Sequence, residues 1–153
     1  MNEIEIRDAN LEDLPFIVGL IDSDTISTSR DPARASNLAD QRAGFDAINA
    51  DRNHRLLVVE LGGQRIGSFQ LSFIPGVSRQ GVWRGQIEAV RIAPEHQGRG
   101  YGSEMMNWAV EQCREHGCGL VQLTSDTARA DAHRFYLSLG FKPSHTGFKL
   151  KLR

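Results

Sequence analysis

The residues best suited to chemistry are Gln97-Gly98-Arg99-Gly100-Tyr101-Gly102-Ser103. They sit where an apolar strand-like run, Val82 to Ala93, passes through Pro94 into a helical pattern. Glycine lets a backbone approach a ligand closely. The first N–H groups of a helix have no partner inside it, and the helix dipole adds partial positive charge there. Such a junction is a socket for phosphate or pyrophosphate. The spacing sets aside two common phosphate loops. A P-loop needs Gly-x-x-x-x-Gly-Lys-Ser/Thr, which the chain lacks. A dinucleotide turn needs Gly-x-Gly-x-x-Gly, whereas Gly98, Gly100 and Gly102 fall at alternate positions. What remains is Gln-x-x-Gly-x-Gly, which a plain turn before an ordinary helix would also satisfy.

Composition narrows the function classes. The 153 residues suit one domain, 1–153, with a real core. Lys and Arg number 18 against 19 Asp and Glu, so no global basic field exists to hold nucleic acid. No apolar run approaches membrane-spanning length, and MNEIEIRDAN is no signal-peptide core, so the expected location is cytoplasmic. Cys113 and Cys118, the only cysteines, lack CxxC spacing and read as reduced thiols. The five histidines make no metal-ligand spacing, so no metal is expected.

The elements that must position the glycine turn follow from periodicity. Glu3–Arg7 alternates as a first strand. Asn10 caps a helix with Asp13 in its first turn and a stripe of Leu14, Ile17, Val18 and Ile21. Asp22–Asp31 reads as a loop. Asp31 and Pro32 start a second helix reaching about Asn53. Arg55–Leu61 and Gln64–Phe73 form a hairpin about Gly62-Gly63. Val82–Ala93 is the central strand, Gly98–His116 a helix, and Leu120–Thr124 a short strand fit for a buried interior position. Ala130–Leu139 is helical and stops at Gly140. Phe141–Arg153 holds two short strands turning at Thr146-Gly147. The strand-helix-strand unit over 82–124 implies a parallel pair, so hairpins on either side make the sheet mixed. The class is α/β, a mixed central sheet flanked by helices.

Gln97, Gly100 and Gly102 match the Arg/Gln-x-x-Gly-x-Gly/Ala motif of the GNAT superfamily, the acyl-CoA-dependent N-acetyltransferases. A second cassette, Ala132-His133-Arg134-Phe135-Tyr136-Leu137-Ser138-Leu139-Gly140-Phe141, is similar to that family's small residue, Phe/Leu-Tyr and Leu-Gly-Phe. With the element order, the resemblance covers nearly the whole chain. GQIEAVRIAP and RADAHRFYLSLGFKPSH also look like aminoalkylphosphonate N-acetyltransferases, but in the shared cofactor half, which says little about the acceptor. Two departures stand out. Members often have Asn where this chain has Arg129, and Arg where it has Gln97.

The resemblance implies attack of an amine, most simply of a small molecule, on the thioester of acetyl-CoA. Gln97, Gly98, Arg99, Gly100, Tyr101, Gly102 and Ser103 would hold the pyrophosphate. The backbone of Val90 and Ile92 would pair with the pantetheine arm and polarise the thioester carbonyl. Glu88 would act as base through water. The alternative for Glu88 is a structural ion pair with Arg84 or Arg91. By period-two alternation Gln86, Glu88, Val90 and Ile92 share a face, an order that a bulge would reverse. Tyr136 would protonate the leaving thiolate, a phenol being protonated at neutral pH; its alternative is a packing aromatic. His145 is the second candidate base. Acceptor specificity is expected from Asp22–Arg34 and Pro75–Gly81, where Asp22, Asp24 and Asp31 would attract a cation and Arg30, Arg34 and Arg79 an acidic group. Dimerisation is common in the family, so a homodimer is a further expectation. Two other functions stay open: transfer to a protein or peptide amine, and a noncatalytic acyl-CoA sensor.

Overall fold

A computed structural model describes residues 3–24, 26 and 38–153. The expected helix start at Asp31 and Pro32, and Arg30 and Arg34, lie outside the described residues. The chain divides into two compact units, Met1–Gln122 and Leu123–Arg153.

In the first unit the alternating runs become strands β1 (Ile4–Asp8), β2 (His54–Leu61), β3 (Gln64–Ile74), β4 (Trp83–Ile92) and β5 (Cys118–Leu123, whose last residue opens the second unit). The helical patterns become α1 (Leu14–Asp22), α2 (Leu38–Asn49) and α3 (Tyr101–Glu115). The strands form one mixed sheet in the order β1-β2-β3-β4-β5, antiparallel from β1 to β4. β5 therefore stands at an edge of the described sheet and is half-buried, not interior as its apolar run suggested. α2 also ends earlier than expected, at Asn49.

Strand pleating sorts side chains to two faces. Leu56 and Val58 lie opposite Gln70 and Ser68, on the face where Leu14, Ile17 and Phe45 from α1 and α2 make a core cluster with Val58. The other face carries Leu57, Phe69, Leu71 and Phe73 and is covered by α3. There Trp108 meets Phe69 edge-on at 6.1 Å, and His116 stacks on Phe73 at 3.9 Å. Gly85 on β4 faces Cys113 of α3, and a Cβ there would run into the Cys113 sulfur, so glycine sets how closely helix and strand pack. Burial pushes the Cys113 thiol up to about 12, and both cysteines are free.

The turn before α1 is more than a cap. Asn10 and Asp13 form a reciprocal capping box over Leu11–Asp13. The Asp13 carboxylate, fully buried, also accepts two hydrogen bonds from Arg7, at 2.7 and 2.9 Å, and one from Arg65 at 2.7 Å. Arg7 bonds Glu60 as well, so one carboxylate ties β1, β2 and β3 to the start of α1. Arg7 holds Asp13 well below the usual carboxylate range, against the opposing cost of burial. A depressed folded-state pKa gives stability that is complete above the unfolded value near 4 and is lost as pH falls below it. Asp13→Ala is expected to cost about 3 kcal/mol at pH 7, because it breaks a buried pair and removes the cap. In urea titrations that difference from wild type should shrink steadily below about pH 4. A constant difference over that range would mean that Asp13 acts only through packing.

The second unit contains α4 (Ala130–Ser138), followed by a left-handed Gly140 at φ 94° that ends the helix. The two strands expected in Phe141–Arg153 are not formed. Phe148, Leu150 and Leu152 alternate with Lys149 and Lys151 as a strand would. However, alternation makes a strand only where a ladder partner exists, and these three side chains are exposed.

Candidate active site

The site begins with a break in the β3–β4 ladder. Gln70 lies opposite Glu88 and Ser68 opposite Arg91, so two β4 residues, Ala89 and Val90, face the single Phe69. This is a β-bulge, and Ala89 adopts a left-handed φ of 53°, which costs a non-glycine residue energy. The bulge re-aims everything after it. Glu88 now shares its face with Arg91, Gln70 and Ser68, whereas Val90 and Ile92 pass to the α3 side. The unbroken face of Gln86, Glu88, Val90 and Ile92 is thus corrected.

Glu88 is exposed, and among the described residues neither Arg84 nor Arg91 pairs with it. Arg91 instead bonds Asp24, just beyond α1, at 3.0 Å. The ion-pair alternative for Glu88 loses its partners on that account. On the same face Gln86 accepts a hydrogen bond from Gln122 of β5 at 2.7 Å.

Past the bulge, β4 ends at Ile92 and a short turn, Pro94–His96, leads to the glycines. Gln97 donates its side-chain amide to the Ile92 carbonyl at 2.9 Å, tying the turn to the strand end. Gly98 and Gly100 are left-handed, at φ 74° and 89°. Gly100 is the N-cap of α3 and supplies no side-chain cap. The first hydrogen bond into the helix is Glu104 N–H to the Gly100 carbonyl at 3.3 Å. The N–H groups of Tyr101, Gly102 and Ser103 precede it and have no partner within the helix. A Cβ built at Gly98 or Gly100 would meet nothing within 4 Å. The protein leaves that space clear, and Arg99 stands exposed between the two.

In the second unit Tyr136 lies on α4, half-buried, with Phe135 and Phe141 at 5.4 and 6.0 Å. Burial raises its phenol above the ordinary value, and Arg129 opposes that shift. His133 bonds the Asp126 carbonyl through Nε2 at 2.7 Å, and His145 bonds Ser144. Arg129 is the residue before α4.

Residues 22–141 match the model of the acetyltransferase (GNAT) family, a match that runs through both units. The chain belongs to this family. It is therefore an acyltransferase enzyme of the GNAT type, and the family's acyl donor is acetyl-CoA. The GNAT chain is 34% identical over 107 residues to an aminoalkylphosphonate N-acetyltransferase of Salmonella typhimurium, covering 70% of itself and 69% of that protein. It superposes on a transcriptional regulator from Bacillus halodurans with TM-score 0.90 and 38% identity, covering 98% and 100% of the two chains. A predicted acetyltransferase from Clostridium acetobutylicum, solved with acetyl-CoA, shares the fold at TM-score 0.71 and 18% identity over 98% and 97% of the chains.

The glycine turn of this GNAT protein suits the donor. Open N–H groups, a left-handed N-cap without a side chain and an exposed Arg99 make a cationic, sterically clear socket of the kind a pyrophosphate needs. Among the described residues no His, Cys, Asp and Glu group with metal-binding geometry occurs, and no helix is long and apolar enough to cross a membrane. Sequence reading named Asp24 as an acceptor-side acid but not its pairing with Arg91, and it passed over Ser68 and Gln70 on the same face as Glu88. A signal was there: Ser68, Gln70 and Ser72 put polar groups at every second position of a strand covered on both faces.

Proposed function

We propose that this GNAT enzyme moves an acetyl group from acetyl-CoA to a primary amine of a small molecule, working as one domain over 1–153. The observation that carries the reading is the bulge at Ala89. It frees the backbone of Ala89 and Val90 from β3 and leaves an exposed carboxylate, Glu88, next to them. The glycine turn follows on the same strand. The amine nitrogen bonds to the thioester carbonyl carbon, and the C–S bond breaks. Glu88 takes the amine proton through water, and the Tyr136 phenol gives a proton to the leaving thiolate. Gly98 to Ser103 hold the pyrophosphate, and the backbone of Val90 and Ile92 binds the pantetheine arm. Gln97 acts by fixing the turn, through its bond to Ile92. The role of Tyr136 is supported by its place in the Phe-Tyr cassette and by the burial that keeps its proton on.

The test is thiol release from acetyl-CoA with small primary amines and, separately, with peptide N-termini and lysyl peptides. Small amines are expected to be acetylated in preference; preference for peptides would move the acceptor class. Tyr136→Phe is expected to lower kcat and kcat/KM together by about 10-fold or more, with unchanged acetyl-CoA affinity. A Tyr136→Phe enzyme of normal rate would mean that solvent or the acceptor supplies the thiolate's proton.

A further inference from the structure

Between α1, α2 and the sheet lies a cavity of about 140 Å³. Its walls are apolar, with Ile17, Ile21, Phe45 and Leu56 among them, and Ala89 of the bulge also lines it. Ser68, Gln70 and Arg91 line it from the sheet, on the face that carries Glu88. The cavity is thus continuous with the bulge at which the proposed base stands. Among the described residues its one charged lining group is Arg91, which Asp24 meets at 3.0 Å, and the two side chains are only 18% and 11% exposed. An entering anion would have to compete with a carboxylate already in place. An uncharged group would only have to displace water from apolar walls, which is favourable. The volume matches the roughly 150 Å³ at which a dry apolar cavity takes up benzene.

Resting on the acetyl-transfer reading above, we infer that this cavity receives the body of the acceptor, so that the acceptor is a primary amine carrying a small uncharged aliphatic or aromatic group. Val18, on the same wall, fixes how large that group can be. Specificity then resides in α1, α2 and the β3–β4 face. An acid-bearing amine, such as the aminoalkylphosphonate of the Salmonella relative's name, is the poorer fit.

The experiment measures kcat/KM of the wild-type enzyme for ethylamine, propylamine, butylamine and benzylamine, and for aminomethylphosphonate, at saturating acetyl-CoA. The expected result is a rise of about fourfold per added methylene until the cavity is full, with benzylamine above aminomethylphosphonate. Val18→Phe, which fills the cavity, should lower kcat/KM for benzylamine at least 10-fold while the acetyl-CoA dissociation constant stays unchanged. Ile21→Phe serves the same purpose should Val18→Phe not fold. Transfer to amines with no dependence on apolar size, or with the phosphonate preferred, overturns the inference and leaves the acetyltransferase reading standing. No transfer to any primary amine overturns both.

Discussion

Gly100→Glu is expected to abolish acetyl-CoA binding in a chain that still folds. Gly100 is left-handed at φ 89°, and a Cβ there meets no protein atom within 4 Å. The fold therefore loses only the strain of a side chain in that conformation, about 1–2 kcal/mol. The ligand loses far more. The new carboxylate stands at the open N–H groups of Tyr101, Gly102 and Ser103, answers them itself and repels a pyrophosphate. Isothermal titration should show no binding heat, although thermal unfolding remains cooperative. Gly100→Ala, which adds strain without charge, should fall between the two. Unchanged affinity in folded Gly100→Glu would place the donor elsewhere.

The second large effect is expected at Glu88. Glu88→Gln keeps shape and hydrogen bonding but removes the base. Loss of a general base typically costs 10²- to 10⁴-fold, and a fall of about that size is expected in kcat and kcat/KM alike. Acetyl-CoA affinity should not change, because the glycine turn is untouched. Stability should also hold, since Glu88 is exposed and among the described residues makes no ion pair. Stopped-flow or steady-state rates across pH 6 to 10 would show the loss at every pH. Near-normal rates would leave Glu88 without a chemical role and make His145 the next residue to replace.

Much of this site was legible in the sequence because its physics is local. The glycine turn is read from three glycines and the helix that follows, and it forms where expected, with α3 starting at Tyr101. The bulge is a different matter. The family resemblance left a bulge open, but an alanine rarely takes positive φ, so nothing in IEAVRIAP itself places it at Ala89, and the reversal of faces after it depends on pairing with β3. Asp13 was legible as a first-turn acid but not as the hub of an ion-pair network, because Arg7, Glu60 and Arg65 come from three strands that only the fold brings together. Leu120 to Leu123 looked interior because an apolar run does not say whether a further strand lies beside it. The two strands expected in Phe141–Arg153 failed for the related reason that a strand is a property of two paired segments, and alternation within one segment does not supply the pairing.

The central claim is that acetyl-CoA and a primary amine react directly on this protein. The measurement that tests it most closely is free-thiol release with both reactants varied over a grid of concentrations. Direct attack in a ternary complex predicts release that depends on both and reciprocal plots that intersect. Thiol release no faster with amine than without, in a protein that still binds acetyl-CoA, would contradict the account and leave a protein that holds the donor without using it.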